Sequence, residues 1–262
     1  MGERAERWLG LERRDDGTWL LPVTEALRSG ADALFGGCAT AAALVVADAV
    51  VPQPLVAGFA HFGALARTGT EVVLAHSIVA SARTMTHVEV VGRLADGAES
   101  FLVRAAAGDR PPVAVEGAWV DAPNVPPPDD CAPFDHPVHA DTWAERFTWR
   151  LAASTPNATW WVRPLEDTAP LVAAAVLVDY VTYGSGRALG APMGGLSVDN
   201  VVRLHHPPQA DGWYLLDVRV DAVTGGFAHG TARLFAEDQT LLATGTQSFV
   251  ANQWDWRLPS EQ

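Results

Sequence analysis

The apolar positions fall into two series of the same order, separated by a proline-rich stretch. In the first series, TWLLPV (18–23) reads as a short strand. Residues 34–51, LFGGCATAAALVVADAVV, are apolar nearly all round and open at a Gly pair, which predicts a buried helix. Strand-like runs follow at 60–65, 71–83, 86–94 and 100–107, with turn residues at Gly69 and Gly97. In the second series, 146–153 and 158–165 read as a hairpin around Pro156 and Asn157. The apolar run APLVAAAVLVDYVTYG (169–184) predicts one helix. Strands are expected at 198–205, 213–223, 227–236 and 241–251.

One fixed offset of 142 aligns most of the two series. It sets His87 against His229, Arg93 against Phe235 and the turn 95–97 against 237–239; the helices pair nearer an offset of 134. A duplication of this size implies a unit of about 130 residues. Prolines crowd the segment 109–137 and mark it as a linker rather than an element. The expected domains are 1–110 and 138–262, joined by 111–137. A helix apolar on every side needs cover on every side, and a curved antiparallel sheet supplies it. The expected fold class is therefore α+β, a tandem or double hotdog, each unit wrapping its sheet around a long apolar helix.

Composition narrows the function classes. The net charge is −13, and all 18 basic residues are Arg. This balance argues against nucleic acid and anionic membrane as partners, while leaving a phosphorylated ligand open. No uninterrupted apolar run of about 18 residues is present, and MGERAERWLG lacks the apolar core of a signal peptide. Two cysteines, Cys38 and Cys131, are too few for a disulfide framework or a zinc site. A cytoplasmic protein without cofactor or metal is expected.

The sequence holds no phosphate-binding loop, no HExxH and no GxSxG elbow. GLSVD (195–199) lacks the final glycine of an elbow. The pair His136 and His139 in HPVH reads as a surface turn rather than a metal site. The duplication then acts as an internal control, because a structural residue tends to have a counterpart of like character. Gln247 faces Ala105, Ser197 faces Leu55, Asp199 faces Ala57, and Asp179 falls near the apolar run 44–46. Asp179 interrupts a run where burial is expected, and burial raises a carboxylate toward the range of a general base. Gln247 lies on the strand face of Ala243, Gly245 and Phe249, where an amide is out of place.

These residues also carry a family resemblance. LSVDNVVRLHHPP (196–208), the hairpins 213–250 with their Gly-rich bend and closing Gln strand, and LFGGCATAAAL in the first half together resemble type II acyl-CoA thioesterases. The likeness is clear in the second half and faint before Leu34. It implies hydrolysis of an acyl-CoA, or a related acyl thioester, by a water that Asp179, Ser197 and Gln247 hold. Gly36 and Gly37 open the first-half helix without side chains in the way, which makes its unpaired N–H groups candidates for an oxyanion site; the resemblance further implies homo-oligomers such as dimers or tetramers. The family usually has Gln where this chain has Cys38, and His where it has Asn200. Gly36, Gly37, Cys38, Asn200, Arg203 and His205 are the candidate substrate-binding residues; Arg203 and His205, with Arg187 and His206, are candidates for CoA phosphates. Two other readings stay open: an acyl-thioester-binding accessory protein with little or no hydrolysis, and, ranked last, a hotdog dehydratase.

Overall fold

A computed structural model describes residues 2–135, 140–206 and 212–252. The first half contains α1 (Gly2–Leu9), β1 (Glu12–Arg13), β2 (Trp19–Pro22), α2 (Gly36–Val50), β3 (Leu55–Phe62), β4 (Glu71–Ser81), β5 (Met85–Arg93) and β6 (Glu99–Gly108). After the proline-rich segment come β7 (Ala132–Pro133), β8 (Phe147–Ala153), β9 (Ala158–Pro164), α3 (Pro170–Val178) and α4 (Val181–Leu189). The chain then forms β10 (Gly194–Leu204), β11 (Tyr214–Thr224), β12 (Phe227–Ala236) and β13 (Leu241–Asn252).

Among the described residues these strands form one large, curved antiparallel sheet, in the order β1-β2-β4-β5-β6-β3-β10-β13-β12-β11-β9-β8-β7. The inner ten strands read the same from either side of the β3–β10 junction if β2, β4, β5, β6 and β3 are matched with β9, β11, β12, β13 and β10. Register supports that matching. Ala60 pairs Val103 in the first half as Val202 pairs Gly245 in the second, each 142 residues on. At the junction Phe59 pairs Val201, two positions with that same separation, so a local two-fold passes between them. The matching turns agree as well: Gly97 (φ +87°) and Gln239 (φ +71°) are both left-handed, and Asp96 and Asp238 each accept the backbone N–H two residues on. A glycine suits that conformation and a glutamine tolerates it poorly.

The helices lie against the sheet's inner surface. In α2 every residue from Gly37 to Ala47 is buried, and in α3 every residue from Leu171 to Val178. Each fully buried Val or Leu contributes about 1.5–3 kcal/mol of hydrophobic stabilisation, which is why the apolar pattern was so plain.

Four features differ from the sequence reading. The second-half helix is not continuous: Asp179 (φ −81°, ψ 7°) and Tyr180 (φ −78°, ψ 2°) leave the helical region and separate α3 from α4. Tyr180 is held there by aromatic packing, stacked on Trp149 at 4.7 Å and on Tyr183 at 5.5 Å, with Trp160 edge-on at 5.2 Å. The proline-rich segment does contribute an element, since β7 pairs with β8, and Val120, Ala122 and Val125 pack on a small cluster with Cys131 and Trp161. Strand β10 begins at Gly194, so Ser197 lies inside it rather than before it. The amphipathic helix α1 was not anticipated. The His136/His139 pair lies outside the described residues. No helix among the described residues is long and apolar enough to cross a membrane.

Candidate functional site

Three buried or half-buried polar side chains meet where the start of α2 abuts the end of α3, beside strands β10 and β13. The Gln247 Nε2 donates to Asp179 Oδ1 at 2.6 Å and to Ser197 Oγ at 2.9 Å. Asp179 and Gln247 are buried and Ser197 is half-buried. The break after α3 is what presents Asp179, because a carboxylate at a helix end is free of the next helical turn.

Each strand contributes through a local device. Ser197 and Asn200 are three residues apart, which in a regular strand puts them on opposite faces. Here Ser197 pairs Phe249, Asp199 pairs Ser248 and Asn200 pairs Gln247, so Val198 is the extra residue of a β-bulge. The bulge turns Ser197 and Asn200 to the same inner face. Asp199 pins it by accepting the Ser248 backbone N–H at 2.8 Å. On β13, Gly245 allows close approach to the end of α3: a Cβ there would stand 2.9 Å from Val178 Cβ and 3.0 Å from its carbonyl oxygen. Gly245 thus draws the Gln247 strand onto Asp179.

The start of α2 closes the site. A Cβ on Gly36 would stand 2.8 Å from Asp179 Oδ2, and one on Gly37 would stand 2.9 Å from Val176 Cα and 3.0 Å from Asp179 Cβ. Phe35, just before the helix, stacks on Trp143 at 4.5 Å and meets Tyr183 edge-on at 5.7 Å, which fixes α2 against α4. Burial pushes the Asp179 carboxyl well above the usual carboxylate range, and the Gly37 backbone N–H offsets this only in part. A carboxylate with one oxygen bonded and the other, Oδ2, making no hydrogen bond is equipped to take a proton.

Beside it lies a mostly apolar cavity of about 140 Å³, lined by residues including Leu34, Gly36, Phe62, Phe101, Tyr183 and Ser197. Of the three polar residues only Ser197 lines this cavity; Asp179 and Gln247 lie behind its wall, with Gly36 between the cavity and Asp179 Oδ2. Thr182 and Tyr183, which also line it, had no distinguishing signal in the sequence.

The remaining candidates fall elsewhere. Cys38 is fully buried, does not line the cavity, and burial pushes its thiol far above the ordinary value. It therefore has neither access nor thiolate character. Cys38→Ala is expected to leave turnover within about threefold at a stability cost of about 1 kcal/mol, and iodoacetamide is expected not to inactivate the native protein; assays before and after alkylation check both. Asn200 is also fully buried and does not line the cavity, so it is not placed to touch a molecule bound there. Arg203 is exposed on the opposite face of β10, about 20 Å along the strand from Ser197. His205 lies beyond it and bonds Thr244 Oγ1 at 3.1 Å. Neither belongs to the cavity, which opens at the other end of β10.

Comparison with known proteins adds a family to this geometry. No curated protein matches the sequence significantly. A protein from Novosphingobium aromaticivorans described as a thioesterase is 31% identical, with 92% of this chain and 97% of that one covered and a TM-score of 0.81. A hot dog fold protein from Alicyclobacillus acidocaldarius is 22% identical over 95% of this chain and 97% of its own, TM-score 0.82. The acyl-CoA thioesterase II TesB2 of Mycobacterium marinum is 19% identical over 98% and 100%, TM-score 0.72. The fold is thus of the hotdog type. The profile of the acyl-CoA thioesterase C-terminal domain matches residues 109–251, more than half of the 262 residues and all of the strands that carry Ser197 and Gln247, so the chain belongs to that family.

Proposed function

We propose that the chain hydrolyses acyl thioesters, acyl-CoA among them, to free acid and thiol by direct attack of a water. The observation that carries this reading is the Gln247 amide, which bonds a buried carboxylate and a hydroxyl at once beside an apolar cavity. Water attacks the thioester carbonyl carbon while Asp179 Oδ2 takes its proton. Ser197, which accepts from Gln247, keeps its own hydrogen to donate to the water or the developing oxyanion. Unpaired N–H groups at the start of α2, where Gly36 lines the cavity, add a favourable dipole. The tetrahedral intermediate then expels the thiolate, which recovers the proton from Asp179. Ser197 is not the nucleophile in this scheme, because its partner is an amide and not a base.

The reading includes a double-hotdog architecture, with units 1–110 and 138–262 joined by 111–137, supported by the mirrored strand order and the offset of 142. It also includes a single site per chain. By the offsets above, the first-half counterparts of Asp179, Ser197 and Gln247 are Val45, Leu55 and Ala105, none able to bind a proton. At about 140 Å³ the cavity has room for a group of about the size of benzene, which fits only a short acyl group, and Arg67, exposed beside the lining residue Ala66, replaces Arg203 and His205 as the candidate for CoA phosphates.

A panel of acyl-CoA esters, read by free thiol release, tests the proposal. Gln247→Ala is expected to lower kcat by about 100-fold with little change in binding. Tight binding without thiol release by the wild type would instead identify an accessory acyl-binding protein.

A further inference from the structure

The Gln247 amide spends both its hydrogens on Asp179 and Ser197, which leaves Oε1 pointing away from the site and into the interior. Turned over by 180°, the same amide would set Oε1 against the carboxylate and lose that bond, while the Ser197 hydroxyl could donate to Oε1 instead. Something behind it must prefer the working orientation. Oε1 is fully buried and accepts no hydrogen bond from a protein group. Besides Asp179 Oδ2, which faces the site, three further buried polar atoms share this condition in the same region: Asn200 Nδ2, Asn200 Oδ1 and Thr40 Oγ1.

Register brings them together. Asn200 is the direct partner of Gln247 across β10 and β13, so the two side chains leave the same inner face side by side, with Cβ atoms about 5 Å apart. Thr40 comes from α2. That helix runs against β3: Gly36 meets the Phe62 ring, and Leu44 packs on Gly58. Eight helical residues span about 12 Å and four strand residues about 13 Å, so the midpoint of one, Thr40, lies over the midpoint of the other, Ala60. Ala60 is the register partner of Asn200. The four atoms also balance chemically, two donors to two acceptors. None has a polar counterpart in the other half of the chain. Position 200 corresponds to Gly58 and position 40 to Ala174, just as Gln247 corresponds to Ala105.

We propose that Asn200 is a positioning residue for the hydrolytic site: across a buried water its Nδ2 supports Gln247 Oε1, and across a second its Oδ1 is linked to the Thr40 hydroxyl, since no two of these atoms bond each other directly. This relay fixes the Gln247 amide so that its N–H groups face Asp179 and Ser197, and aligned hydrogen bonds polarise one another in the same sense. It accounts for a buried asparagine that would otherwise carry an uncompensated desolvation cost. The inference rests on the hydrolase reading only for its kinetic consequences.

The test uses the full chain. Asn200→Leu keeps the shape and removes both polar atoms; kcat is expected to fall tenfold or more with KM changed less than twofold, at an unchanged or raised melting temperature. Asn200→His, which again offers one donor and one acceptor, is expected to restore kcat to within about threefold. In ¹⁵N spectra the Gln247 side-chain NH₂ pair is expected to shift or broaden in Asn200→Leu and to stay near the wild-type position in Asn200→His. Thr40→Val, a smaller change at the far end of the relay, is expected to lower kcat in the same direction. A kcat within twofold of wild type in Asn200→Leu, failure of the His variant to rescue a stable protein, or unchanged Gln247 amide signals would each overturn the proposal. Should the wild type release no thiol from any acyl-CoA, the hydrolase reading fails, and the Gln247 signals alone decide the relay.

Discussion

Asp179→Asn is expected to reduce kcat/KM for thioester hydrolysis by at least about 1,000-fold while leaving the protein folded. The expected loss corresponds to about 4 kcal/mol of transition-state stabilisation. An asparagine side chain can still accept from Gln247 Nε2 but cannot take a proton from water. The pH dependence follows from the environment of the carboxyl. Burial raises its pKa well above the ordinary value, and the working form is the ionised one. Activity is therefore expected to be lost as pH falls through a midpoint above the usual carboxylate range. Stability runs the other way. A group whose folded pKa exceeds its unfolded value stabilises the fold fully below the unfolded pKa, and that contribution disappears as pH rises through the folded pKa. Wild-type stability should then decline with rising pH across this window, and that of Asp179→Asn should not. Melting temperatures of both proteins between pH 4 and 8, beside thiol-release rates, check both limbs. Equal pH dependence of stability in the two proteins would mean that Asp179 is not the buried ionising group.

The second large effect concerns two adjacent glycines that fail for different reasons. Gly36→Ala puts a methyl group 2.8 Å from Asp179 Oδ2 and 2.9 Å from Phe62 Cζ, both ends of side chains that can move. Stability is expected to change by less than about 1 kcal/mol, helped by the better helix propensity of Ala. Activity is expected to fall by about 100-fold, because the carboxylate must shift and the wall of the cavity thickens. In Gly37→Ala the methyl group stands 2.9 Å from Val176 Cα, a backbone atom, and 2.6 Å from the Phe35 ring. Here α2 and α3 must separate, so a loss of about 1–3 kcal/mol in stability is expected as well. Chemical denaturation and kcat/KM of the two variants distinguish a displaced base from a displaced helix. If Gly36→Ala were fully active, Oδ2 would not be the proton acceptor.

The agreements have local causes. α2 was legible because burial on every side leaves an unbroken apolar run, and β12 because a two-residue period marks a strand with one face inward. The offset of 142 was legible because strands matched in register keep their positions in phase, even where identity is as thin as the pair His87 and His229. Asp179 and Gln247 stood out as polar residues in apolar settings. Arg203 and His205 did not join the site because adjacency in sequence to Ser197 becomes distance along an extended strand, about 3.3 Å per residue.

By itself, then, the sequence determined the class of elements, their order, the recurrence of that order at an offset of 142 and three polar residues at odds with their surroundings, since each of these is a matter of local pattern. Only the tertiary structure decided that the second helix breaks at Asp179, that a bulge at Val198 turns Ser197 and Asn200 to one face, and that the start of α2 comes to lie against Asp179. Those outcomes depend on aromatic packing around Tyr180, on a one-residue slip of register and on the close approach of glycines to distant side chains, and none of these leaves a period in the chain.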